Sequence, residues 1–159
     1  MWAGQLDAGV NCEGTEQDVN TIEYLARCHC GALTARYRTA ISPAEWVVRA
    51  CQCSFCRSHG SIATSDPGGA LEFRSTDPNL IQRYRFGGRT AEFLICRECG
   101  VYVGAQMVSD KGRFGVLNVL SLRPVLPLAT AEPMDYGAES PEGRRLRRQS
   151  RWTPVAEGL

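Results

Sequence analysis

Seven of the eight cysteines in this chain fall into three tight groups, and only two histidines accompany them. The groups are Cys28-His29-Cys30-Gly31, Cys51-Gln52-Cys53-Ser54-Phe55-Cys56 and Cys96-Arg97-Glu98-Cys99-Gly100. Any fold available to the chain has to bring those sulfurs to shared points. In extended backbone, residues two apart point to the same side, so a C-x-C pair offers both sulfurs to one ion. His29, between two such cysteines, is expected to point away from their metal for the same reason. A C-x-x-C followed by glycine suits a tight metal-binding turn, because glycine accepts the positive φ such turns need.

Paired cysteines can instead form disulfides, and compartment separates the two uses. The N-terminus, Met1-Trp2-Ala3-Gly4-Gln5-Leu6-Asp7, has neither the basic start nor the apolar stretch of an export signal. No run approaches the roughly 18 apolar residues of a membrane helix. The expected setting is a reducing cytoplasm, where such groups hold metal or do redox chemistry. Cys28, Cys30, Cys96 and Cys99 then make the four thiolates of a closed structural zinc, clipping the start of the sheet to a late hairpin. Cys51, Cys53 and Cys56 supply three, and three protein ligands with one open position are the arrangement of a catalytic zinc. A fourth ligand from His59, His29 or Cys12 would make that second site structural, and without metal it would be a redox thiol cluster. The triplet does not match the ferredoxin iron–sulfur spacings. Cys12 stands alone and reads as a bystander thiol.

An apolar fraction of 43% suffices for a buried core in a 159-residue chain, which excludes disorder throughout. A net charge of +1 argues against a broad duplex-binding surface. Leu33–Arg38 and Ile81–Phe86 alternate apolar with polar residues, and Thr90–Ile95 and Phe114–Leu120 are further β-rich runs. Shorter strands are expected at Trp46–Arg49 and Leu71–Arg74, with one helical turn around Ser54–Ser58. Ser65–Gly69, Gly87-Gly88 and Ser109–Gly112 are turns. The pattern predicts an all-β domain of antiparallel sheets over residues 22–130. Residues 1–21 read as a flexible leader, and 131–159 as an irregular, Arg-rich tail. The basic run Arg144–Arg151 in that tail reads as a solvated, mobile terminus in preference to a phosphate-binding arm.

The order C-x-C-G, C-x-C-S-x-C-R, C-x-x-C-G in a β-rich chain resembles the glutathione-dependent formaldehyde-activating enzyme family, also named for centromere protein V. All seven grouped cysteines match, and Arg57-Ser58-His59-Gly60 resembles the family's stretch after the triplet. The resemblance implies a sandwich-like set of small antiparallel sheets built around two zinc–thiolate sites. It implies a structural zinc on Cys28, Cys30, Cys96 and Cys99, and a catalytic-type zinc on Cys51, Cys53 and Cys56. It further implies carbon–sulfur lyase chemistry, joining formaldehyde or a related aldehyde to a small, glutathione-like thiol. Two positions depart from the pattern: Arg123 stands where an acidic residue is frequent, and Ile95 where an aromatic is common.

In that chemistry a substrate thiol takes the open position as its thiolate and attacks the aldehyde carbon. Arg57 would attract an anionic substrate or balance the zinc–thiolate charge. His59 would return the proton, against the commoner role of a loop histidine. Asn118 is expected to satisfy backbone groups. The competing reading is a zinc-stabilised, non-enzymatic module that binds protein or nucleic acid. Small-molecule thiol and aldehyde are the expected partners, without membrane and with nucleic acid disfavoured; the sequence leaves oligomeric state open.

Overall fold

Alternation builds the first layer. The computed structural model describes residues 20–156 and 159. Cys12 and all but the last two residues of the expected leader lie outside that range. From Ile22 the chain runs along β1 (Ile22–Arg27) and returns along β2 (Leu33–Thr39). In β2, Leu33, Ala35, Tyr37 and Thr39 are buried while Arg36 and Arg38 face solvent, the period of a strand with one wet face. The chain then forms β3 (Arg49–Cys51), the single turn α1 (Ser54–Ser58), β4 (Ala63–Thr64) and β5 (Ala70–Ser75). Antiparallel pairing of β5 with β2 completes a three-stranded sheet in the order β1-β2-β5.

The second layer follows. β6 (Ile81–Tyr84), β7 (Glu92–Cys96), β8 (Tyr102–Ser109) and β9 (Gly112–Asn118) pair in succession as an antiparallel meander. β4 and β3 extend it beyond β9. The larger sheet is completed by β10 (Glu132–Met134) on β3 and β11 (Thr153–Pro154) on β9, flanking the helix α2 (Pro141–Arg151). Leu71 and Phe73 of β5 pack with Leu94, Val103 and Leu117 of the larger sheet in one buried cluster. Two glycines permit this close approach: a Cβ on Gly104 would lie 2.8 Å from the Phe73 ring, and one on Gly115 3.2 Å from Leu71.

The all-β class and the turn at Ser54–Ser58 agree with the sequence pattern, with four differences. The strand expected at Trp46 begins only at Arg49. Trp46 is instead a core side chain, its Nε1 donating to the Ile41 carbonyl at 3.0 Å and its ring edge-on to Tyr24 and Tyr37. β8 was not visible as alternation because its first six residues are all buried, which erases the period of two. β10 runs parallel to β3, so pairing is not wholly antiparallel. Most consequentially, the segment read as an irregular tail is ordered structure. Glu132 N–H donates to Val48 and Gln52 N–H to the Met134 carbonyl, Trp152 and Thr153 are buried, and Thr153 Oγ1 accepts from Asp66 N–H at 2.9 Å. Ser140 caps α2 by accepting from Gly143 N–H, and Pro141 occupies its first turn. No helix among the described residues is long and apolar enough to cross a membrane.

Candidate metal centre

The four-cysteine set is assembled where the two sheets meet. Cys28 and Cys30 lie in the loop between β1 and β2, closed by Cys28 N–H to Leu33 O at 2.8 Å. The sequence argument placed this pair on extended backbone; a tight loop brings its sulfurs together instead. Cys96 ends β7, and a Gly100 φ of 73° lets Gly100 N–H return to the Cys96 carbonyl, bringing Cys99 beside it. The Sγ atoms of Cys28 and Cys30 are 3.6 Å apart, and those of Cys30 and Cys96 3.5 Å. A disulfide needs about 2.05 Å, whereas sulfurs on a tetrahedral ion with arms of about 2.3 Å stand about 3.8 Å apart. All four ligand atoms lie within 4.8 Å of one another, so the set fits a single metal ion. Leu33 N–H donates to Cys28 Sγ at 3.2 Å. Burial pushes Cys96 up to about 12. Burial also opposes Cys99, but the Cys30 and Val101 backbone N–H groups draw it down to about 6.

The triplet sits at the junction of β3 and α1. Cys51 ends the strand, and Cys53 caps the helical turn by accepting from Cys56 N–H at 3.5 Å. The cap places Cys56 one turn on, and all three sulfurs fall within 4.8 Å of one another. Among the described residues no fourth cysteine, histidine or carboxylate joins them. The neighbouring Cys56 thiol draws Cys51 down to about 5, while Cys56, beside Cys51 and buried, is pushed well up.

The triplet opens on a cavity of about 200 Å³. One wall is apolar, formed by Phe86, Phe93, Ala105, Val116 and Trp152; Tyr102 and Tyr136 also line the cavity. Burial, then the negative charge of Cys56, Cys51 and Cys53, holds Tyr102 well above its ordinary value, so it stays an O–H donor. The other wall carries Arg49 from β3 and Arg144, Arg147 and Arg148 from α2. The three helical arginines are three and four residues apart and so share one face. Arg147 is fixed by two bonds to Glu139, of 2.8 and 2.9 Å, and lies over the Tyr136 ring. Arg148 donates to Thr90 Oγ1 at 2.7 Å and lies over Trp152; burial pulls it down to about 10.

These arginines went unrecognised because a charged run outside the cysteine pattern reads as solvated surface. The signal that would have revealed them is Ser140-Pro141-Glu142, a helix start directly ahead of the run. Arg57 and His59, expected beside the triplet, do not line this cavity. Arg57 is exposed, and His59 stacks on the far side of Phe55 at 4.2 Å, in a shallow groove with Gln82 and Tyr84. His29 is exposed. Asn118 satisfies backbone groups as expected, donating from Nδ2 to the Tyr102 carbonyl at 2.9 Å and accepting from Ile62 and Leu120 N–H. Of the two departures, Arg123 turns back onto the Leu120 and Leu122 carbonyls, and Ile95 lines the shallow groove; neither borders the cavity.

Comparison with known proteins agrees with this arrangement. No curated protein matches the chain. A crystal structure of a Rhodobacter sphaeroides protein superposes with a TM-score of 0.56 at 32% identity, covering 69% of this chain and 99% of that one. The family model for the glutathione-dependent formaldehyde-activating enzyme matches residues 23–123, a span that contains every grouped cysteine and ends before β10. By that match the chain belongs to the glutathione-dependent formaldehyde-activating enzyme family.

Proposed function

We propose that this protein is a zinc enzyme of carbon–sulfur lyase type, condensing a small thiol with formaldehyde or a closely related aldehyde. The observation that carries the reading is an asymmetry. One cysteine set has four ligands drawn from two sheets, and the other has three and borders a cavity. Thiolates at these spacings suit zinc, which accepts tetrahedral sulfur sets. Cys28, Cys30, Cys96 and Cys99 would hold a structural ion, and Cys51, Cys53 and Cys56 a catalytic-type one. When bound there, zinc favours the thiolate form of an incoming thiol, the nucleophilic form.

The chain's own residues do the rest. The substrate sulfur bonds to the aldehyde carbon, the carbonyl π pair moves onto oxygen, and the proton given up by the thiol finishes on that oxygen. The balance requires no oxidant or reductant. Tyr102, a buried hydroxyl on the cavity wall, is suited to relay that proton. Phe86, Phe93 and Trp152 limit water around the adduct. The role first assigned to Arg57, attracting an anionic substrate, passes to the arginines of the cavity, and His59 is not needed as the proton donor. A cytoplasmic setting would keep the thiols reduced.

Exchange NMR of formaldehyde with glutathione and with the smaller 3-mercaptopropionate, at matched protein concentration, tests the reading. Wild type is expected to accelerate adduct exchange above the uncatalysed rate, and Cys53→Ala to return it to background. Acceleration by neither protein would leave only the zinc-stabilised binding module.

A further inference from the structure

The cavity's cationic wall is unbalanced on the protein side. Arg144 and Arg147 share Glu139. Asp135 borders the cavity, but its Oδ1 is occupied by Gly137 N–H at 2.8 Å. Arg49 is bonded to the neutral Ser65 hydroxyl and Arg148 to the neutral Thr90 hydroxyl, and neither has a carboxylate partner among the described residues. Arg148 Nε is buried without any hydrogen-bond partner. Burial lowers the pKa of both guanidinium groups, yet arginine stays protonated at neutral pH. A buried cation calls for a counter-charge. The triplet supplies some; the rest falls to an anion in the cavity that Arg49 and Arg148 both line.

We propose that residues 132–154, which follow the family match, form a selectivity wall. Arg148 on this segment and Arg49 of β3, which line the same cavity, together bind the carboxylate of a compact thiol whose sulfur faces Cys51, Cys53 and Cys56. Carboxylate is indicated because arginine's planar fork matches two oxygens. Compactness follows from a cavity of about 200 Å³, below the roughly 300–1,000 Å³ of a site for a drug-sized ligand. The inference rests on the thiol–aldehyde reading for the position of the sulfur, but not for the binding of the carboxylate.

Two thiols of similar size separate charge from bulk: 3-mercaptopropionate and neutral 2-mercaptoethanol, each with formaldehyde and corrected for uncatalysed rates. In wild type, kcat/KM is expected to favour the anionic thiol by about tenfold or more, through KM. Arg148→Gln and, independently, Arg49→Gln should erase most of that ratio. Arg148→Lys, which keeps the charge but loses the fork, should retain part of it. A ratio unchanged in both glutamine variants, including a proportional loss with both thiols, overturns the proposal and makes the arginines counter-charges of the triplet. Calorimetry with 3-(methylthio)propionate, which has the carboxylate but no ionisable thiol, provides a readout free of turnover. Arg148-dependent binding without turnover of either thiol would sustain the wall and sink the enzyme reading. Turnover without such binding would do the reverse.

Discussion

Single residues set how closely the two sheets approach. Gly104 lies in β8 under the Phe73 ring, and a Cβ there would also stand 2.5 Å from the Val116 carbonyl. Neither a strand carbonyl nor a fully packed ring yields without moving the sheet. Gly104→Ala is therefore expected to lower the unfolding free energy by about 1–3 kcal/mol, the usual cost of overpacking. Denaturant midpoints measure this, and an unchanged midpoint would contradict the packing described. At the same scale the grouping of the cysteines was legible. Cysteine is scarce enough that its spacing carries meaning, and both ligand sets were assembled as the spacing indicated. Arg57 and His59 do not line the cavity because adjacency in sequence does not fix direction: beyond Cys56 the helical turn carries the chain away from it.

At the scale of elements, α2 decides whether the cavity has a wall. The Glu139–Arg147 pair ties the helix to the turn that leads into it, and the Arg147 hydrogen bonds hold the Glu139 carboxyl below its ordinary 4.5. A carboxyl whose pKa is depressed on folding contributes stability that is complete above the unfolded value and is lost as pH falls through the folded one. The difference in thermal midpoint between wild type and Glu139→Gln should hold steady from about pH 7 to 5 and shrink below about 4.5. Both proteins carry the same cysteines, so thiol protonation drops out of that difference. A gap that persisted at pH 3 would show that the ion pair is not what ties the helix to its leading turn. α2 and β8 escaped sequence reading for opposite reasons. β8 is buried on both faces and shows no alternation, whereas the arginines of α2 turn inward to a cavity that only the fold creates.

For the molecule as a whole, the four-cysteine set joins the β1–β2 loop of one sheet to the end of β7 in the other. A metal held there would bridge the two layers, and its binding free energy would become folding free energy. The triplet lies within one local stretch, from β3 to α1, and its loss leaves both layers joined. The strand class was readable from alternation, but the joining of layers was not, because it depends on contacts between residues far apart in sequence. Zinc content followed against a rising chelator concentration, with circular dichroism recorded on the same samples, tests this division most directly. The account predicts two ions per chain, the first removed by mild chelation with the fold intact and the second only as the protein unfolds. A single ion, or two leaving together as structure is lost, would contradict it.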